Sequence, residues 1–163
     1  MQIRISGIVD ESIVDGPGFR MAVFVQGCPH GCPGCHNPQT HAFDAGTWMD
    51  TADIARRATE NPLLDGITLT GGEPFCQPKA CADLAERARA AGLNVWGYSG
   101  WTYEQLLQKP ECMTLLQRLD VLVDGRFMQE QRTLELRFRG SSNQRLIDVQ
   151  RSLAAGRAIE YQE

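Results

Sequence analysis

Short apolar segments, each ending in a polar loop that contains glycine, recur along this chain and limit its fold more than any other feature. Met21-Ala-Val-Phe-Val25 leads to Gly27 and a cysteine-rich loop, and Gly66-Ile-Thr-Leu-Thr70 leads to Gly71-Gly72-Glu73-Pro74. Leu93 to Tyr98 ends at Ser99-Gly100, and Leu119 to Val123 ends at Asp124-Gly125. Helical stretches lie between them. Asp50 is placed to cap a helix reaching about Glu60, with Ile54 and Ala58 on one face. Ala80 to Ala91 reads as a helix stopped by Gly92, which suits a left-handed C′ position. Thr102 and Gln105 form a capping-box pattern that opens another. Apolar strands alternating with helices predict an α/β fold with a parallel sheet of βα units. Loops that follow parallel strands gather on one rim, so the separate motifs are expected to meet in one site. With 163 residues the chain is short for a closed eight-stranded barrel. The expectation is an open, partial barrel in a single domain spanning 1–163.

Composition narrows the classes of function. Acidic residues outnumber basic ones, 20 to 16, so no basic field points to nucleic acid or to an anionic membrane. No apolar run reaches membrane-spanning length, and the charged, glycine-containing start MQIRISGIVDES does not read as a signal peptide. A cytoplasmic location follows as the expectation. In that compartment six cysteines are metal ligands or buried thiols rather than disulfides. Trp48, Trp96 and Trp101 are expected to pack in the core or at its rim.

Cys28, Cys32 and Cys35 lie in the run GCPHGCPGCHNP. Three thiolates within eight residues can hold three corners of a 4Fe–4S cube and leave one iron open to another ligand. The glycines and prolines among them allow the loop to curl so that several sulfurs point inward. A zinc site with His30, His36 or His41 as fourth ligand uses the same residues, and the triplet alone does not separate the two. Cys76, Cys81 and Cys112 lack the four ligands of an auxiliary cluster and are expected to be buried thiols.

The CxxxCxxC triplet resembles the signature of radical S-adenosylmethionine (SAM) enzymes, in which SAM chelates the open iron. The wider chain resembles the activating proteins of glycyl-radical enzymes. The segments that carry the likeness are VDGPGFR (Val14–Arg20), the cysteine loop, TLTGGEP (Thr68–Pro74), LDVLVDGRF (Leu119–Phe127) and RGSSNQ (Arg139–Gln144). DGRF and RGSSNQ point to the anaerobic ribonucleoside-triphosphate reductase branch. His36-Asn37-Pro38 after the third cysteine matches the pyruvate formate-lyase branch instead, which makes that partner the second reading.

The resemblance implies an open radical-SAM barrel in which Cys28, Cys32 and Cys35 hold one cluster. It further implies that Gly34, Cys35 and His36 line the SAM site and that Gly72 with Glu73 holds its methionine end, with Ser99 a candidate ribose contact. The implied electron donor is a reduced flavodoxin or ferredoxin. The implied substrate is a glycine in the large subunit of the reductase. DGPG is expected beside the mouth that admits that glycine, and RGSSNQ is expected to face the partner or close the site. A zinc-stabilised binding module without catalysis is the reading from a different class.

Overall fold

Alternation along the strands decides which side chains meet the helices. In β2 (Arg20–Val25), Met21, Val23 and Val25 enter the main apolar cluster. Ile67 and Leu69 of β4 (Gly66–Gly71), Val95 of β5 (Asn94–Tyr98) and Leu122 of β6 (Val121–Asp124) join them. Helices α1 (Thr51–Thr59), α2 (Pro78–Ala90), α3 (Tyr103–Leu107) and α4 (Met113–Leu116) fill that cluster with Ile54, Leu84, Leu106 and Leu115. The alternate strand residues face the other side, as a period of two requires. There Trp96, Val121 and Val123 form a small second cluster with Tyr98, Phe138 and Tyr161.

Local signals formed as the sequence predicts. Asp50 caps α1 by accepting from the Ala52 N–H at 2.8 Å, and Thr102 with Gln105 completes both halves of a capping box. Gly92 stands just past α2 with φ of 85°, a conformation that a side chain would strain.

The computed structural model describes residues 1–162. It contains one seven-stranded sheet in the order β3-β1-β2-β4-β5-β6-β7, where β1 is Gln2–Ser12, β3 is Thr47–Asp50 and β7 is Arg145–Asp148. Only the pairings among the central four strands, β2, β4, β5 and β6, are parallel. This corrects the expectation of a wholly parallel sheet. β1 pairs antiparallel with β2 and β3, and β7 pairs antiparallel with β6. The cause lies in the connections. Residues 13–19 between β1 and β2, and residues 125–144 between β6 and β7, hold no crossover helix to carry the chain back to the opposite edge. After β7 the short helix α5 (Val149–Ala155) begins under the cap of Asp148. Among the described residues no helix is long and apolar enough to cross a membrane.

Candidate functional site

Four loops leave the C-terminal ends of β2, β4, β5 and β6, and they meet around one cavity of about 220 Å³. It is lined by Cys28, Cys32 and Cys35 from the first loop, Gly71 and Gly72 from the second, Ser99 and Gly100 from the third, and Gly125 and Phe127 from the fourth. Asp15 of the DGPG turn and Gly140 and Gln144 of RGSSNQ complete the wall. The convergence that parallel strands imply therefore holds here.

The cysteine loop is pinned at its base. Gly27 N–H donates to Thr40 O at 2.7 Å, and Cys28 N–H donates to His41 O at 3.1 Å, so the returning chain closes the loop beside β2. Gln26 reinforces the closure with bonds from its amide to Gln39 O and Ala42 O. Inside the loop the Cys35 N–H donates to Cys32 O at 3.2 Å across a turn that Gly34 makes at φ of 75°. Cys35 Sγ accepts from the Asn37 N–H at 3.4 Å and lies 3.3 Å from His41 Nε2.

Burial raises the thiol pKa of Cys28 and of Cys32. The charge of Glu73 and the neighbouring thiols add to the rise at Cys28, against a hydrogen bond from the His30 backbone. At Cys32 a Phe127 backbone bond opposes it. Bound metal offsets such a cost, because coordination holds thiols in their deprotonated form. Among the described residues no three His, Cys, Asp or Glu side chains converge on a point suited to a single ion. Three thiols lining one cavity are a donor set that fits a 4Fe–4S cluster with one iron left open.

Cys35, His36, Gly72 and Ser99 of the sequence-derived SAM set reach the cavity wall, in part from loops far apart in the chain, while Gly34 shapes the cysteine turn without lining it. His36 leans on Phe127 with ring centroids 5.1 Å apart. Two residues of the set are held by the protein itself. Gly72 must lack a side chain because a Cβ would collide with Gly27 O and lie 2.9 Å from Val25 O, so backbone packing alone already constrains it. Glu73 is not on the cavity wall. Its buried carboxylate accepts from His30 Nε2 at 2.6 Å, Ser99 Oγ at 2.9 Å, Gly100 N–H at 2.8 Å and Phe75 N–H at 3.0 Å. Four donors on one buried carboxylate leave it engaged inside the protein.

The remaining cysteines lie outside the cavity lining. Cys81 and Cys112 are buried in the main core as expected. Cys76 is only half-buried, and that burial pushes its thiol up to about 12, with the charge of Glu73 adding to it. The sequence reading did not single out Thr70 or Tyr98 as lining residues. It weighed His30 and His41 only as zinc ligands, yet their place within and just after the cysteine run was a signal that they serve that loop.

Comparison with known proteins agrees with this site. The family model described as a 4Fe-4S single cluster domain matches residues 14–147. The anaerobic ribonucleoside-triphosphate reductase-activating protein of Haemophilus influenzae is 33% identical over 81% of this chain and 89% of its own length. Its counterpart in Escherichia coli K12 is 36% identical over 81% and 90%, and that of bacteriophage T4 is 33% identical over 82% and 86%. The crystal structure of QueE from Escherichia coli superposes with a TM-score of 0.48 at 19% identity, over 63% of this chain and 54% of that one. With matches that span most of both sequences, and with the cysteine loop inside the matched region, the chain belongs to the family of anaerobic ribonucleoside-triphosphate reductase-activating proteins.

Proposed function

We propose that this protein is a radical SAM activase that places a glycyl radical on the large subunit of anaerobic ribonucleoside-triphosphate reductase. The observation that carries the reading is one cavity at the ends of parallel strands, lined by all three clustered cysteines, in a member of this family. Cys28, Cys32 and Cys35 would hold a single 4Fe–4S cluster, the donor set that leaves one iron free. Bound there, the cluster and SAM would supply radical hydrogen-atom abstraction from the partner's glycine, given one electron from a donor such as reduced flavodoxin or ferredoxin.

The chain's own residues bind, orient and exclude water. Gly34 and His36 would flank SAM beside Cys35, while Gly72 and Ser99 face it from the neighbouring strand ends. Glu73 supports that wall from behind through Ser99 and Gly100. Asp15, Gly140 and Gln144 stand where the DGPG and RGSSNQ segments meet the cavity, and they would receive the partner's glycine loop. Polar loops held on a rigid sheet suit that task. The sheet would serve as a partial radical-SAM barrel within one domain, working in the cytoplasm.

Mixing the reduced protein, SAM and the reductase large subunit without oxygen should produce a doublet in electron paramagnetic resonance from a carbon-centred radical. Alanine in place of the partner's radical-bearing glycine should remove it. A doublet with a pyruvate formate-lyase-type partner and none with the reductase would promote the second reading. Purified protein that holds zinc and takes up neither iron nor sulfide would sink both.

A further inference from the structure

His30 sits midway between the first two cysteines, and its imidazole turns away from solvent to reach Glu73. The Nε2–Oε1 distance is 2.6 Å, with the two side chains 4% and 0% exposed. A carboxylate oxygen only accepts, so Nε2 donates. The ring is confined on other sides as well. Trp101 meets it edge-on at a centroid distance of 4.7 Å, and Gly100 lies so close that a Cβ there would collide with the ring. Glu73 in turn binds the loop after β5 through Ser99 Oγ and Gly100 N–H, and its own loop through Phe75 N–H.

The segment it anchors has little order of its own. Between Cys28 and Cys35 the backbone closes one internal hydrogen bond, and Gly31 and Gly34 both take positive φ. Such a loop has many arrangements, and holding one of them requires contacts from outside it. A charge-assisted bond in a dry site is a strong contact of that kind.

We propose that His30 and Glu73 form a buried clasp that sets the position of the Cys28–Cys32 segment against the ends of β4 and β5. Both are positioning residues for the metal centre. The inference rests on the reading of Cys28, Cys32 and Cys35 as cluster ligands. Glu73→Gln weakens the clasp because it removes the carboxylate charge and sets an amide nitrogen against either the Phe75 N–H or the three donors gathered at Oε1.

The test uses His30→Ala, His30→Gln, Glu73→Gln and the double variant His30→Ala/Glu73→Gln, each with two readouts. One is the alkylation rate of Cys28 and Cys32 by iodoacetamide in the metal-free protein, followed by mass spectrometry. The other is the rate at which a chelator strips iron from the reconstituted protein. His30→Ala and Glu73→Gln should each raise both rates roughly tenfold, the scale seen when residues behind metal ligands are removed. The double variant should be no worse than the more severe single one, because one bond is lost in every case. His30→Gln keeps a donor and should recover most of the loss. Glu73→Gln with both rates unchanged and SAM binding weakened would overturn the clasp and return Glu73 to the methionine end of SAM. Additive effects in the double variant would overturn it too. If Glu73→Gln does not fold, the His30→Ala and His30→Gln pair decides, since it leaves the other three bonds of Glu73 in place. Alkylation that responds in a protein unable to load iron would keep the clasp and reject the cluster.

Discussion

The two faces of the sheet are built by opposite rules. The face under the helices is apolar volume: Val23, Leu69, Val95 and Leu122 from the strands, closed over by Leu84, Leu106 and Leu115. The other face presents Thr68, Thr70 and Trp96, and across it lies Arg20, a guanidinium only 1% exposed. Among the described residues no carboxylate hydrogen-bonds to that cation. Its Nε donates to Thr68 Oγ1 at 2.9 Å, and Nη2 donates to Ile67 O at 2.8 Å and to Asn94 Oδ1 at 2.9 Å. Burial pulls its pKa down to about 10, with the charges of Asp120 and Asp65 opposing, which leaves it protonated at neutral pH. Thr68 then passes the arrangement on, donating to Asp15 O at 2.8 Å, and Asp15 lines the cavity. One face holds the protein together, while the other spends its interior on hydrogen bonds and open space. Stability and function should therefore respond separately to substitution on the two faces.

The largest contrast is between cysteines. Cys28→Ala, Cys32→Ala and Cys35→Ala are each expected to abolish cluster binding, because a site with three protein thiolates has none to spare. Cys81→Ala and Cys112→Ala remove a buried sulfur from the helix-covered core and should cost about 1 kcal/mol while keeping the cluster. Cys76→Ala should keep it as well. Iron and sulfide content after anaerobic reconstitution separates the groups. Loss of iron from Cys81→Ala as complete as from Cys32→Ala would end the division between the faces.

Leu84→Ala sharpens it from the other side. Leu84 is fully buried on α2 and is not among the residues that line the cavity. Truncation should lower stability by about 2–5 kcal/mol, read from the urea midpoint, without changing iron per folded chain. Cluster loss that outruns unfolding in this variant would mean that the core also sets the site.

The division also explains what could be read from sequence. β2, β4, β5 and β6, the cap at Asp50 and the capping box at Thr102 are local patterns, and they formed where expected. β1, β3 and β7 were missed because their identity comes from pairing. Arg4, Asp10 and Glu11 interrupt the apolar pattern of β1, and four-residue β3 and β7 are strands only because β1 and β6 lie beside them. The cysteines were legible because their spacing carries the chemistry. The bond from Glu73 to His30 was not legible because His30 stands 43 residues away, on a loop whose approach no pattern encodes. Trp48 departs in a smaller way, being 57% exposed beneath the Arg4 guanidinium instead of packed inside.

Thr68→Val is the finest probe, since it keeps the shape of the loop-covered face and removes only its hydroxyl. Two bonds disappear together: the acceptor for Arg20 Nε and the donor to Asp15 O. The guanidinium has its neighbours at Ile67, Asn94 and Pro17 still in place, but Nε is left in a dry site with no acceptor. An unsatisfied buried donor costs about 1–3 kcal/mol, so the urea midpoint should fall by less than in Leu84→Ala. The second bond tells the faces apart. Release of the Asp15 carbonyl loosens the DGPG turn at the cavity, so Thr68→Val should lower the yield of partner radical per folded chain, which Leu84→Ala should not. SAM cleavage without the partner should be nearly unchanged, because the cysteine loop and Gly72 keep their own bonds. Equal radical yield from Thr68→Val and the parent protein would show that the polar network supports only the fold, and that the two faces differ in chemistry but not in purpose.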